Sequence, residues 1–154
     1  MIAPATHEDV AGVIDLIGRV FAEYGWIWQP PTEVPDLFDF AAHYEGERGS
    51  FWVVRAEGHV VASVGVERLD AHTAELHRLY VDPGWRRQGL GDALVQSAIE
   101  WCRERGIGRL VLWSDTRFEN SHRLYTRLGF QRLGERTIEG DINHSREYRF
   151  ERPV

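Results

Sequence analysis

The sequence predicts a single α/β domain of the α+β type over residues 1–154, with a mixed, mostly antiparallel sheet flanked by helices. Three observations carry that expectation. A chain of 154 residues has the size of one ordinary domain. Residues 50–69 read as two strands folded about the turn dipeptide Glu57-Gly58, which marks a β-hairpin. Residues 74–114 read as strand, glycine-rich loop, long helix and strand, which marks a right-handed βαβ unit.

Taken in order, Ile2-Ala3-Pro4-Ala5 is a short first strand. Thr6 is placed to cap a helix, with Asp9 three residues on to complete a capping box. Val10, Val13, Ile14, Ile17 and Phe21 follow at helical spacing, so that helix runs to about Tyr24. The segment Gly25–Pro31 breaks it, and its two tryptophans, Trp26 and Trp28, either plug the core or wall a substrate pocket. Pro35 opens a second short helix bearing Leu37, Phe38, Phe40 and Ala41. The hairpin strands are 50–56 and 59–69, and after a turn at Asp70-Ala71-His72 a further strand spans 74–81. Asp82-Pro83 ends it, and residues 84–91 form a loop. The following helix reaches about Arg105, with Leu90, Leu94, Ala98 and Trp101 on one face and Gly106 as its stop. Residues 109–114 have little polar alternation, as a buried parallel strand requires. A short helix spans 120–128 and ends at Gly129; strands at 130–136 and 146–150 close the sheet.

Composition narrows the function. Hydrophobic residues make up 43% of the chain and charged ones 27%, enough for a packed core and too ordered a mixture for a disordered chain. No apolar run approaches the ~18 residues of a membrane-spanning helix, and the first residues lack a basic segment followed by an apolar one. The single cysteine, Cys102, excludes an internal disulfide and sits inside a predicted helix as a core residue. These features predict a cytoplasmic protein. The net charge of -6 disfavours nucleic acid and anionic membranes as partners. All 18 basic residues are arginine, so Schiff-base chemistry and a lysine-dependent phosphate loop are excluded. His7, His43, His59 and His144 show no ligand spacing, so no metal is expected.

The chemistry concentrates in Leu79-Tyr80-Val81-Asp82-Pro83-Gly84-Trp85-Arg86-Arg87-Gln88-Gly89-Leu90-Gly91. A strand delivers the chain to a glycine turn that becomes the first turn of a helix. Gly89 and Gly91 let a ligand approach the backbone, and the unpaired amides and positive dipole end of the helix converge there. This is an anion cradle of the size of a diphosphate, to which Arg86 and Arg87 would add charge. The Gly-x-Gly-x-x-Gly dinucleotide pattern fails because position 94 is Leu.

The pattern Arg86-x-x-Gly89-x-Gly91 resembles the signature of the GNAT superfamily of acyl-CoA-dependent N-acyltransferases. Asn120-Ser121-His122-Arg123-Leu124-Tyr125-Thr126-Arg127-Leu128-Gly129-Phe130 resembles that family's second signature, in the expected order and spacing. The resemblance covers essentially the whole chain. It implies a GNAT-like domain over 1–154, whose central parallel strand pair splays apart. It implies acetyl-CoA as co-substrate, with its diphosphate held by Arg86, Arg87, Gln88, Gly89, Leu90, Gly91 and Asp92. The pantetheine arm would lie along Leu79-Tyr80-Val81, pairing with the exposed backbone of Leu79 and Val81. Asn120 would bond the arm, and Tyr125 would face the sulfur as acid for the leaving thiolate.

The proton acceptor is not chosen by the signatures. Glu75 and His77, two apart on one face of a strand, are candidates, as are Glu67 and Asp115, which with Trp26 and Trp28 could contact the acceptor. The implied reaction is acetyl transfer to a primary amine, most simply of a small molecule, by direct attack in a ternary complex. The alternatives are a non-catalytic acyl-CoA sensor or an acetyltransferase of protein N-termini or side chains. The family also dimerises through edge strands, which makes a homodimer an expectation.

Overall fold

The computed structural model describes residues 1–154. Seven strands form one sheet in the order β1-β2-β3-β4-β5-β7-β6. They are β1 (Ile2–Pro4), β2 (Gly49–Ala56), β3 (His59–Arg68), β4 (Thr73–Val81), β5 (Arg109–Asp115), β6 (Gln131–Thr137) and β7 (Arg146–Pro153). The helices are α1 (Val10–Glu23), α2 (Pro30–Glu33), α3 (Phe40–Tyr44), α4 (Leu90–Glu104) and α5 (Glu119–Arg127). All neighbouring strands are antiparallel except β4 and β5.

The sheet is covered on both sides. One core joins α4 (Leu94, Val95, Ala98, Ile99) to Val64, Val66, Leu110, Leu112 and Phe150. The other joins α1 (Val13, Leu16, Ile17, Phe21) to Val34, Leu37, Phe40, Tyr44, Phe51 and Val53. β3 therefore has its residues buried on both faces from Val60 to Glu67, which is why its sequence lacks polar alternation. Cys102 is fully buried and its thiol is pushed up to about 11 by that burial, as suits a core residue rather than a nucleophile.

Local signals act as their chemistry dictates. Thr6 Oγ1 accepts from the Glu8 amide and Asp9 accepts from the Thr6 amide, closing the capping box ahead of α1. Glu57 and Gly58 both take positive φ in the β2–β3 turn, the twist that a two-residue hairpin loop needs. Three expectations need correction. The tryptophan-bearing segment is not loop throughout, because Pro30 at its first turn nucleates α2. The second short helix begins as a 3₁₀ turn at Pro35–Asp39 before becoming α3. β7 runs three residues beyond the expected end, to Pro153, and lies between β5 and β6.

Two features shape the site. β4 and β5 pair only through Thr73–Glu75 and Arg109–Val111, then diverge. β4 also carries a bulge: Ser63 faces Tyr80 while Gly65 faces His77, leaving one extra residue on β4. Arg78 occupies the bulge at φ +55°, and Ser63 Oγ donates to its carbonyl at 2.8 Å. No helix is long and apolar enough to cross a membrane.

Candidate active site

The turn between β4 and α4 gathers unpaired backbone amides into a cradle. Asp82 caps a short 3₁₀ turn at Pro83–Trp85 by accepting from the Gly84 amide. Gly89, at φ +78°, then turns the chain into α4 as its N-cap, without a side-chain cap. The amides of Gly89, Leu90, Gly91 and Asp92 donate no hydrogen bond within the protein, so all four are free for a ligand. A Cβ at Gly91 would stand 3.1 Å from Leu124 Cδ2, so α4 and α5 close on each other there.

Arg86 is already engaged within the protein. Its guanidinium grips Glu23 through two bonds of 2.7 and 2.8 Å, and its Nε donates to the Val81 carbonyl at 3.1 Å. It splints α1 to the end of β4. Arg87, at φ +64°, has no ion-pair partner and lines the cradle. Arg123 bonds Asn120 Oδ1 at 2.6 Å, and Arg127 pairs with Asp92 at 2.6 Å. These arginines give the groove a basic rim.

The groove has a volume of about 730 Å³ and is lined by Leu79, Tyr80, Val81, Arg86, Arg87, Gly89, Leu90, Gly91, Asp92 and Asn120, among others. Gln88, also expected here, does not line it. A second cavity, of about 460 Å³, is lined by Trp26, Glu75, His77, Asp115 and Tyr125, among others. The two share Leu79, Tyr80, Phe118 and Ser121, beside the divergence of β4 from β5. Beyond Glu75, the β5-facing edge of β4 has no strand partner, so its backbone groups are open to an extended ligand.

Tyr125 is buried on α5 with its ring against Phe130 and Phe150. Burial, with Tyr80 beside it, raises its phenol above the ordinary value and keeps it protonated. Tyr80 is pushed up to about 12, also by burial. Trp28 lines neither cavity; its indole fills the space above Gly18 and packs on Phe21. Glu67 also lines neither: its buried carboxylate takes His43 Nδ1 and Arg48 Nε, each at 2.9 Å. Asp115 does line the second cavity, with both oxygens held by Arg117 at 2.8–2.9 Å.

Sequence reasoning missed a polar cluster behind His77. Asp36 Oδ1 takes Arg78 at 2.5 Å, Asp36 Oδ2 takes the Tyr44 hydroxyl at 2.5 Å, and the Tyr44 oxygen lies 3.0 Å from His77 Nδ1. On the other side of the ring, His77 Nε2 lies 3.4 Å from Glu75 Oε2. The sequence signal was Asp36 itself, a charge set among Val34, Pro35, Leu37 and Phe38. Glu33 was also missed; it lines the second cavity, and its buried Oε1 has no hydrogen-bond partner.

Comparison with known proteins places this geometry. The family model described as Acetyltransferase (GNAT) family matches residues 17–130. N-acetyltransferase 8 of Homo sapiens is 35% identical over 110 residues, 68% of this chain and 48% of that protein. N-acetylaspartate synthetase of Danio rerio is 37% identical over 102 residues, 65% of this chain and 36% of that protein. The chain thus spans half or less of the length of those two relatives. YjgM of Escherichia coli, an uncharacterized N-acetyltransferase, is 31% identical over 133 residues, covering 83% of this chain and 80% of that protein. An acetyltransferase from Streptococcus agalactiae superposes with a TM-score of 0.84 at 22% identity, covering 100% of this chain and 98% of that one. The ribosomal-protein-S18-alanine N-acetyltransferase of Escherichia coli gives 0.76 at 24%, covering 100% and 93%. At those identities the structural likeness is one of fold. The match of the family model across most of the sequence, together with YjgM, shows that the chain belongs to the acetyltransferase (GNAT) family.

Proposed function

We propose that the protein transfers an acetyl group from acetyl-CoA to a primary amine of a small molecule, by direct attack in a ternary complex. The observation that carries this reading is the pair of cavities adjoining at the β4–β5 divergence, one lined by free amides and arginines, the other by carboxylates and His77. The diphosphate would sit on the amides of Gly89 to Asp92 and the pantetheine arm along Leu79 to Val81. Tyr125, held protonated, would give its proton to the departing thiolate. An alkyl ammonium must lose a proton before it attacks, and His77, with Glu75 beside it, is the proton acceptor in this reading.

Two features support a small, cationic acceptor. The Trp26 loop and the β6–β7 loop both wall the second cavity, and they are tied together. Asn143 Oδ1 accepts from the Ile27 amide at 2.8 Å, and its Nδ2 donates to the Ile27 carbonyl at 2.9 Å. Arg117 reinforces the tie, lying 3.9 Å over the Trp26 ring and donating to the Asn143 carbonyl. This bridge joins two walls of the cavity, which suits a small acceptor. The lining also carries Glu33, Glu75, Asp115, Glu139, Asp141 and Glu147 against Arg78 and Arg136. That balance favours a cationic acceptor over a dicarboxylate of the kind named for the zebrafish relative.

The test is a panel of primary amines with acetyl-CoA, following thiol release. Turnover with cationic small amines supports the reading. Turnover confined to peptides, or absent with every amine, refutes it.

A further inference from the structure

We propose that Tyr44, ordered by the Asp36–Arg78 ion pair, holds His77 in the tautomer with its hydrogen on Nδ1, leaving the Nε2 lone pair to take the acceptor's proton. The inference rests on the reading of His77 as proton acceptor and adds the positioning residues behind it.

The tautomer follows from a count of hydrogens. A phenol has one hydrogen to donate. The Tyr44 oxygen has two close partners, Asp36 Oδ2 at 2.5 Å and His77 Nδ1 at 3.0 Å. The charge on Asp36 decides between them. Burial alone would raise that carboxyl, but the hydrogen bonds and charge of Arg78, with the bond from Tyr44, outweigh it and hold the group below the ordinary range. Asp36 is therefore a carboxylate and only accepts. Burial and the charge of Asp36 raise the Tyr44 phenol, so it keeps its hydrogen and gives it to Asp36.

Toward His77, then, the Tyr44 oxygen presents only a lone pair, and Nδ1 must supply the hydrogen between them. A neutral imidazole has one N–H, so Nε2 is bare. Nε2 points at Glu75 Oε2, 3.4 Å away, in the second cavity. A lone pair facing a carboxylate at that distance leaves room for one proton donor, and an ammonium is such a donor. In the step, the N–H bond of the ammonium breaks with its electrons left on the amine, and a bond forms from Nε2 to the proton. The result is an imidazolium with both nitrogens protonated.

Two carboxylates flank the ring. Glu75 faces the ring from β4, and Glu67, 3.9 Å from Nδ1, faces it from β3. Glu75 is itself held below the ordinary range: burial would raise it, but the neighbouring His77 ring and the charges of Arg136 and Arg149 prevail. Glu67 is shared with His43 and Arg48, and Arg78 is neutralised by Asp36. Arg78 also occupies the bulge of β4 at φ +55°. The same residue thus marks where β4 departs from regular pairing and anchors the group that orients the base.

Imidazole ¹⁵N NMR of the histidine-labelled protein tests this without any acceptor, with His77 assigned by its loss in His77→Gln. The expected result at mildly alkaline pH is a protonated Nδ1 and an unprotonated Nε2. Tyr44→Phe, which keeps its ring packed on Phe40 and Phe51, should transfer hydrogen toward Nε2. It should also lower kcat at least about tenfold, a part of the ~10²–10⁴ that a positioned base supplies, with KM for acetyl-CoA unchanged. Asp36→Asn should reproduce the spectral change. A wild-type Nε2 that carries hydrogen, or a Tyr44→Phe spectrum identical to wild type, overturns the inference. The expected spectra with a His77→Gln enzyme of unchanged kcat and pH profile refute the base role. The expected spectra with no turnover of any amine refute the transferase reading instead.

Discussion

Gly89→Ala isolates the cost of the cradle's geometry. Gly89 stands at φ +78°, and an added Cβ would meet nothing within 4 Å. The penalty is therefore one of backbone conformation alone, about 1–2 kcal/mol for a non-glycine residue in the left-handed region. The chain has two ways to respond. If the turn keeps its shape, the whole penalty falls on folding and Tm drops by roughly 2–4 °C per kcal/mol for a domain of this size. If the turn relaxes to negative φ, the Gly89 to Asp92 amides no longer converge and acetyl-CoA must restore them on binding. Its Kd then rises by about 5- to 30-fold, since 1.4 kcal/mol is a factor of ten. Calorimetric titration with acetyl-CoA, paired with scanning calorimetry of the free protein, measures both responses. The two losses should sum to about 1–2 kcal/mol. An unchanged Kd together with an unchanged Tm would refute the claim that the cradle depends on a left-handed residue at this position.

Three further outcomes follow from the geometry. Tyr125→Phe keeps the ring between Phe130 and Phe150 but removes the acid; kcat for thiol release should fall by about 10²–10⁴ while acetyl-CoA affinity holds, and an unaffected kcat removes Tyr125 from the chemistry. Gly65→Ala places a Cβ 2.7 Å from Phe51 Cδ2 and 2.9 Å from Tyr44 Cε1; this overpacking should cost about 1–3 kcal/mol in denaturant unfolding, and a neutral result would mean that the rings move aside freely. Asp9, Asp36, Glu75 and Asp82 have carboxyls held below their ordinary values, despite burial, by hydrogen bonds and nearby positive charge. Lowered folded-state values contribute stability above the unfolded pKa of about 4 and lose it as pH falls through the folded values. Denaturant titrations should therefore show little change from these groups between pH 7 and 5 and a decline below about pH 4, which Asp36→Asn should flatten.

Local chemistry made much of the fold legible. The capping box at Thr6, the turn at Glu57-Gly58 and the glycines at 89 and 91 each act through neighbours close in sequence, so their residue types state their roles. The order of the last two strands is different in kind. β7 reaches β5 through a pairing from Arg109 to Asp115, and β6 and β7 are both so rich in charge that no pattern ranks them against β5. In the site, the cradle was legible for the same local reason. The groups behind His77 were not, because Asp36 and Tyr44 come from a segment more than 30 residues earlier and meet it only where the 3₁₀ turn Pro35–Asp39 and α3 pack on the sheet. Arg86 shows a further limit: its bonds to Glu23 and the Val81 carbonyl, which tie α1 to the end of β4, involve one partner distant in sequence and one in the backbone, and have no local signal.

The most direct test of the central claim is a crystal structure of the protein with acetyl-CoA. The account predicts the diphosphate within hydrogen-bond distance of the Gly89 to Asp92 amides, and the thioester in the opening between β4 and β5 with its sulfur beside Tyr125. A diphosphate bound away from that turn, or an acyl arm lying outside the opening, would contradict it.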